Sequence, residues 1–417
     1  MDRGTSAPSQ ITTRRRRYTG RDLTTGSIPR NLWFLAWPQT VSGSLMVVDR
    51  MWDLFLAGFL GFRVIAGIGV AQSWSMLAFT VRMGFDTSMR AMISRAVGAG
   101  DLKLARHVAF QGFTLSTTIS LVLTIVGILL TEFLMRILGI SEEVIAVASN
   151  YMKFQLLATM FQGLMMMTGT ALQASGDPIT PMKAQIVSRV LHFGLSPLLM
   201  FGWFWFPSFG ITRAALAALI AGIVALIWNL TALFRGTSLL HLSIQEYRLD
   251  LPMIWRMIRI GTPASITSME RSLSQIAVVW LVAMFGDMAL AAYAVAQRTQ
   301  MLTNLGSMGL GQGAGILVGQ SLGAGKPERA KQTVAWALLF VIILSITLGG
   351  ILLMFSKPFL SIFLREPEVM EIAVPWLRIV VLGFMVQGTG MVFTQSYNTA
   401  GDTFVPMIVS LITIWGI

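Results

Sequence analysis

The sequence predicts an all-α, polytopic membrane protein built from two tandem six-helix repeats of parallel topology, the second stopping short at the C-terminus. Three observations predict it. First, 54% of the 417 residues are apolar, 12% are charged, and mean hydropathy is +0.69. A soluble domain carries about 25% charged residues, so the solvent around this chain is lipid. Second, stretches free of Asp, Glu, Lys and Arg recur along the chain, many near the ~20 residues a helix needs to cross a ~30 Å hydrocarbon core. Third, the chain aligns with itself at an offset of 225 residues.

Eleven helices are expected, at roughly 31–60, 64–94, 107–131, 145–175, 182–203, 213–235, 254–285, 289–319, 332–356, 372–400 and from 403 onward. The division that follows is a disordered basic tail (1–29), a first six-helix lobe (30–235), an inter-lobe linker (236–253) and an incomplete second lobe (254–417). Lys and Arg concentrate in the tail and in alternate loops, which places the N-terminus in the cytoplasm. The net charge of +12 is therefore a topology signal, and no nucleic-acid partner is expected. The tail reads as a topogenic segment held near anionic lipid.

At the 225-residue offset Pro38 falls on Pro263, and Val70-Ala71-Gln72 on Val295-Ala296-Gln297. Gly98-Ala99-Gly100 falls on Gly323-Ala324-Gly325, Gln162-Gly163 on Gln387-Gly388, and Gly176-Asp177 on Gly401-Asp402. Apolar similarity alone would not keep Pro, Gly and Gln in register over five helices, so the chain is a duplication. Six helices return the chain to its starting side, so the copies have parallel topology. Two lobes with a cleft between them are the expected product.

Composition excludes several chemistries. There is no cysteine, so there is no disulfide or thiolate metal site. The three histidines, His107, His192 and His241, have no metalloenzyme spacing. The glycine-rich GAGD and GAGK turns and Gly309 to Gly315 lack the Walker pattern and read as close helix packing. Neither an enzyme nor a bound cofactor is expected.

Several stretches resemble the MATE (multidrug and toxic compound extrusion) family of efflux antiporters. They are Trp37-Pro38 to Gly61, Ser94 to Asp101, Gln320 to Gly325, and Ala174 through Met182. The resemblance spans about 30–417. It implies secondary active export of organic, often cationic, amphipathic compounds by rocking of two lobes, driven by inward H⁺ or Na⁺. A monomer in the plasma membrane is expected. Asp53 falls on the family's acidic position of helix 1, and Glu270 lies close to one in helix 7. The positions resembling further Na⁺ ligands are His192, Ser196 and Ala218 here, a poor oxygen set for a hard cation, which favours H⁺. A lipid-linked precursor flippase of the same superfamily is the alternative and would need several arginines in the cleft. Position 417 aligns with His192, so the second copy ends midway through its fifth helix. The chain thus reads as a fragment of a twelve-helix transporter or as one whose second lobe is damaged and no longer transports.

An ionisable group at mid-membrane costs at least ~2.5–3.5 kcal/mol, so each needs a reason. Asp49 and Asp53 lie one turn apart, offering a carboxylate where protons and cations compete; the plainer alternative pairs one of them with Arg50. Glu270 is a cation or proton site, or half of an inter-lobe ion pair. Arg82, Asp86 and Arg90 form an i, i+4, i+8 ladder, a salt-bridge stripe or an inner gate. His192 is a hydrogen-bonded bundle residue or, with Asp53, a proton relay. Gln72 and Gln297 either line the cleft or bond across helices. Met165 to Met167, Trp52, Trp74 and Phe85 suit a deformable apolar cleft, or ordinary core and lipid-facing positions.

Overall fold

The computed structural model describes residues 21–58, 62–137, 142–201, 212–361 and 367–416. All eleven expected helices are among them. The first copy supplies α1 (Ile28–Gly58), α2 (Phe62–Gly98), α3 (Leu102–Leu129), α5 (Glu142–Ala174), α6 (Ile179–Phe201) and α7 (Thr212–Phe234). The second supplies α8 (Leu251–Ala283), α9 (Asp287–Gly323), α10 (Pro327–Met354), α12 (Pro367–Ala400) and α13 (Phe404–Trp415). Two short helices, α4 (Thr131–Ile137) and α11 (Ser356–Ser361), follow α3 and α10 at matching places in the two copies. Both were missed because each is set off from a long helix by a single residue, Leu130 or Phe355.

The duplication is visible in the packing. The copies are interlocked: α1 packs on α9, and α2 packs on α8. A Cβ added to Gly84 would lie 2.6 Å from Ser265 N and would also meet Gly261, while one added to Gly309 would lie 2.7 Å from the Ala36 carbonyl oxygen and would meet Thr40. The offset of 225 carries Gly84 to Gly309, Ala36 to Gly261 and Thr40 to Ser265, so these are one crossing made twice about a pseudo-two-fold axis. Likewise a Cβ at Gly98 would sit 2.7 Å from Gln320 C, and one at Gly323 would sit 2.8 Å from Arg95 C. Helix backbones approach this closely only where a side chain is absent, which is why the repeat keeps glycine there. The turns obey the same symmetry. Gly100 and Gly325 have φ of 78° and 69°, and Gly176 and Gly401 have φ of 96° and 91°, a left-handed region that glycine enters without cost. Pro38 and Pro263 sit inside α1 and α8.

Two segments outside the long helices are held in place. Residues 21–27, assigned by composition to the disordered tail, form a strap between the lobes. Arg21 N–H donates to Gly176 O, Leu23 is fully buried, and Arg329 of α10 donates to the carbonyls of Leu23, Thr25 and Gly26. Positively charged donors on one lobe and main-chain acceptors in the strap give the segment an enthalpic reason for order that composition hides. The linker docks on α3. Gln111 donates to Arg248 O at 2.7 Å, Arg106 pairs with Glu246 at 3.1 Å, and His107 Nε2 lies 2.9 Å from Asp250. Asp250 also caps α8 by accepting from Met253 N–H at 2.9 Å. The Met253 amide and the His107 ring together hold the Asp250 carboxyl below the usual carboxylate range.

Among the described residues, four segments have an 18-residue window apolar enough to cross a membrane by composition alone: α3, α10, α12 and Ala215–Phe234 of α7. Helices α1 and α2 are not among them. They carry the charges that build the site.

Candidate functional site

A cavity of about 490 Å³ opens inside the first lobe, bounded by α1, α2, α5, α6 and α7. Among the described residues, the second lobe contributes Met308 and Gln312 of α9 to its wall. The size falls within the ~300–1,000 Å³ of small-molecule sites.

Its polar centre is where α1 meets α6. Asp49 and Asp53 are four residues apart on α1, and Arg189 and His192 are three apart on α6, so each pair shares one helix face. Arg189 Nη1 pairs with Asp49 Oδ2. His192 Nδ1 lies 2.7 Å from Asp49 Oδ1, and its Nε2 lies 3.6 Å from Asp53 Oδ1. The imidazole thus stands between two carboxylates. The two acids differ in access: the Asp49 side chain is 12% exposed and that of Asp53 is 28% exposed. Asp49 is locked by a cation and a ring nitrogen, whereas Asp53 faces the cavity with one loose contact. A gap of 3.6 Å is too long for a hydrogen bond but closes with a small side-chain movement.

Arg189 escaped the sequence reading, which offered Arg50 as partner to the acids. The Arg50 side chain lies outside the described residues. The available signal was that Arg189 shares a face with His192 within an apolar span, where an arginine needs a counter-charge.

The ladder on α2 does not close as a salt-bridge stripe. No ion pair within 4.0 Å joins Arg82, Asp86 or Arg90 among the described residues. Instead Arg82 donates to Thr159 O at 2.8 Å, with Ser120 Oγ at 3.4 Å, and Arg82 and Arg90 both line the cavity. Gly163 makes room for Arg82, since an added Cβ would overlap its guanidinium. The polar centre also belongs to one copy alone. The offset carries Asp49, Asp53, Arg82, Asp86 and Arg90 to Ser274, Val278, Ser307, Gly311 and Gly315.

The remaining candidates distribute as follows. Glu270 is buried on α8 and does not line the cavity, and neither carboxylate oxygen has a hydrogen-bond partner. Gln297 donates to Tyr293 on its own helix, so it bonds neither across helices nor into this cavity. The side chain of Gln72 lies outside the described residues. Met165 and Met166 line the cavity, while Met167 lies in the first-lobe core and Trp52 packs on Phe55 and Phe193. Ser196 is fully buried with no partner for its hydroxyl, and Ala218 lines the cavity. Among the described residues no group of three or more His, Cys, Asp or Glu is arranged to hold a metal ion.

Comparison with known proteins fits this geometry. Residues 38–198 and 263–417 match the MatE family model, one match in each copy. The chain is 29% identical over 401 residues to the probable multidrug resistance protein YoeA of Bacillus subtilis, covering 94% of this chain and 85% of that protein. It is 22% identical over 395 residues to a FAD transporter of Shewanella oneidensis, covering 93% of this chain and 86% of that one. The fold superposes on the MATE transporter VcmN of Vibrio cholerae in its bent form with a TM-score of 0.87, at 23% identity, over 95% of this chain and 89% of that structure.

Proposed function

The chain belongs to the MatE family of membrane transporters, and on that premise we propose that it is a multidrug efflux antiporter that exports organic, cationic or amphipathic compounds in exchange for inward H⁺. The observation that carries this reading is His192 held between Asp49 and Asp53 on the wall of a drug-sized cavity. With a neutral imidazole, the group Asp49, Asp53, Arg189 and His192 sums to one negative charge. One proton neutralises it, and so does one monovalent organic cation at Asp53. Holding both leaves an uncompensated charge in a low-dielectric site, which is unfavourable. Proton and guest therefore exclude each other, as exchange requires. Asp53 meets the cavity, His192 Nε2 can hand it a proton, and the Arg189–Asp49 pair fixes the ring. Met165 and Met166 supply an apolar, deformable wall suited to guests of varied shape. The protein acts as a monomer in the plasma membrane with its N-terminus in the cytoplasm.

The test is ethidium transport by purified protein in proteoliposomes under a pH gradient in Na⁺-free buffer. Asp53→Asn should abolish gradient-driven ethidium transport and weaken ethidium binding while the protein remains folded. Undiminished pH-driven transport by this variant would remove Asp53 from the coupling.

A further inference from the structure

We propose that Arg82 and Arg90, eight residues and about 12 Å of rise apart on α2, make this stretch of the same cavity wall a second subsite that takes an anionic group at either guanidinium, so that the guests include amphipathic organic anions and zwitterions bearing a phosphate, sulfonate or carboxylate. The proposal rests on reading the cavity as a transport site and names a substrate class for it. Both side chains belong to residues more than nine-tenths buried, and both reach the cavity wall. Arg82 spends one nitrogen on Thr159 O, and its Nε has no partner. Arg90 has no hydrogen bond or ion pair within 4.0 Å among the described residues, and its Nε is likewise without a partner. A guanidinium is a planar fork of donors and matches the paired oxygens of these anions.

The charge count points the same way. Asp86 offsets one of the two arginines and leaves one positive charge. Asp86 is not on the cavity wall, and the acids that are on it are Asp49 and Asp53. Asp53 lies five residues from the end of α1, about 8 Å in depth, while Arg82 lies twenty residues into α2, about 30 Å from the same side. The acidic cluster is thus roughly 20 Å away along the helices and does not supply the missing counter-charge. Met46, Met76 and Phe79 line the wall alongside these polar groups and can cover an apolar body.

The internal repeat argues against a purely structural role. Helix α9 is the copy of α2 and carries Ser307, Gly311 and Gly315 where α2 carries Arg82, Asp86 and Arg90. Gly163 lies against Arg82 as Gly388 lies against Ser307, where an added Cβ would be 3.0 Å from Ser307 Oγ. The same helix site accepts a small neutral residue in one lobe, so the fold does not demand the charge.

The experiment measures equilibrium binding by fluorescence polarisation, without any gradient, to the full chain in phosphatidylcholine nanodiscs. The probes are carboxyfluorescein as the anion and ethidium as the cation. The wild type should bind both. Arg90→Gln and Arg82→Gln should each weaken carboxyfluorescein by about tenfold or more while changing ethidium by less than about threefold, since the cation site is distant. Because Arg90→Gln strands Asp86, the triple variant R82Q/D86N/R90Q, which removes all three charges, is measured beside it and should show the same selective loss. If phosphatidylglycerol added to the discs competes with the dye in the wild type, the anion recognised is a lipid headgroup; if it does not, the subsite takes soluble anions. Either result keeps the subsite. No carboxyfluorescein binding by the wild type, unchanged binding by R82Q/D86N/R90Q, or equal loss of both dyes would overturn it. Asp53→Asn should leave carboxyfluorescein binding intact, so failure of the proton-coupling reading and failure of the anion subsite give different results.

Discussion

Arg189→Gln isolates the contact that organises the acidic cluster. The Arg189 side chain is 8% exposed and that of Asp49 is 12% exposed, so the variant leaves a carboxylate in the bundle without its cation. Removing one partner of a buried pair costs about 3–5 kcal/mol. His192 remains 2.7 Å from the other Asp49 oxygen. By taking a proton it converts that contact into a charged hydrogen bond and returns about 1.5–3 kcal/mol. The net loss should be roughly 2 kcal/mol. Asp49→Asn in the same background removes the stranded charge and should restore most of the stability. The assay is unfolding in mixed detergent micelles followed by tryptophan fluorescence for wild type, both single variants and the double. A coupling energy of about 1.5 kcal/mol or more is expected, against ~0.3–0.5 kcal/mol for independent sites. R189Q as stable as wild type, with no rescue by D49N, would show that the pair does not hold the cluster.

Gly84→Ala and Gly309→Ala should each destabilise the protein by about 1–3 kcal/mol in the same assay, since each forces two helix backbones apart at one pseudo-symmetric crossing. Unequal effects would mean that the two crossings are not equivalent. Asp250 has its folded pKa depressed by Met253 and His107, so its stabilisation is present above the unfolded pKa of about 3.9 and is lost as pH falls through the lower folded value. Asp250→Asn should lack that acid step in a pH series of thermal melts. Glu270→Gln should retain pH-driven ethidium transport, because Glu270 stands away from the cavity proposed to carry coupling; loss of coupling with normal folding would return it to the mechanism.

Every one of the eleven long helices, the duplication and its offset were legible in the sequence. Each depends on local apolar content or on residues such as Pro38 and Gly98 whose backbone demands recur in register. The placing of Asp49 and Asp53 on one face of α1 was legible for the same reason: helical spacing is local. The partners were not. The sequence offered Arg50 for the acids where α6 brings Arg189, and a salt-bridge stripe where α2 turns Arg82 and Arg90 to the cavity wall. It offered a cleft between the lobes; the cavity described lies mostly in the first lobe, with Met308 and Gln312 of α9 on its wall. A helix that is apolar nearly all round carries no clear face signal, so its rotation about its own axis is set by the neighbours it packs against. Tertiary structure alone decides which polar side chains of different helices meet, and that meeting is what makes this site.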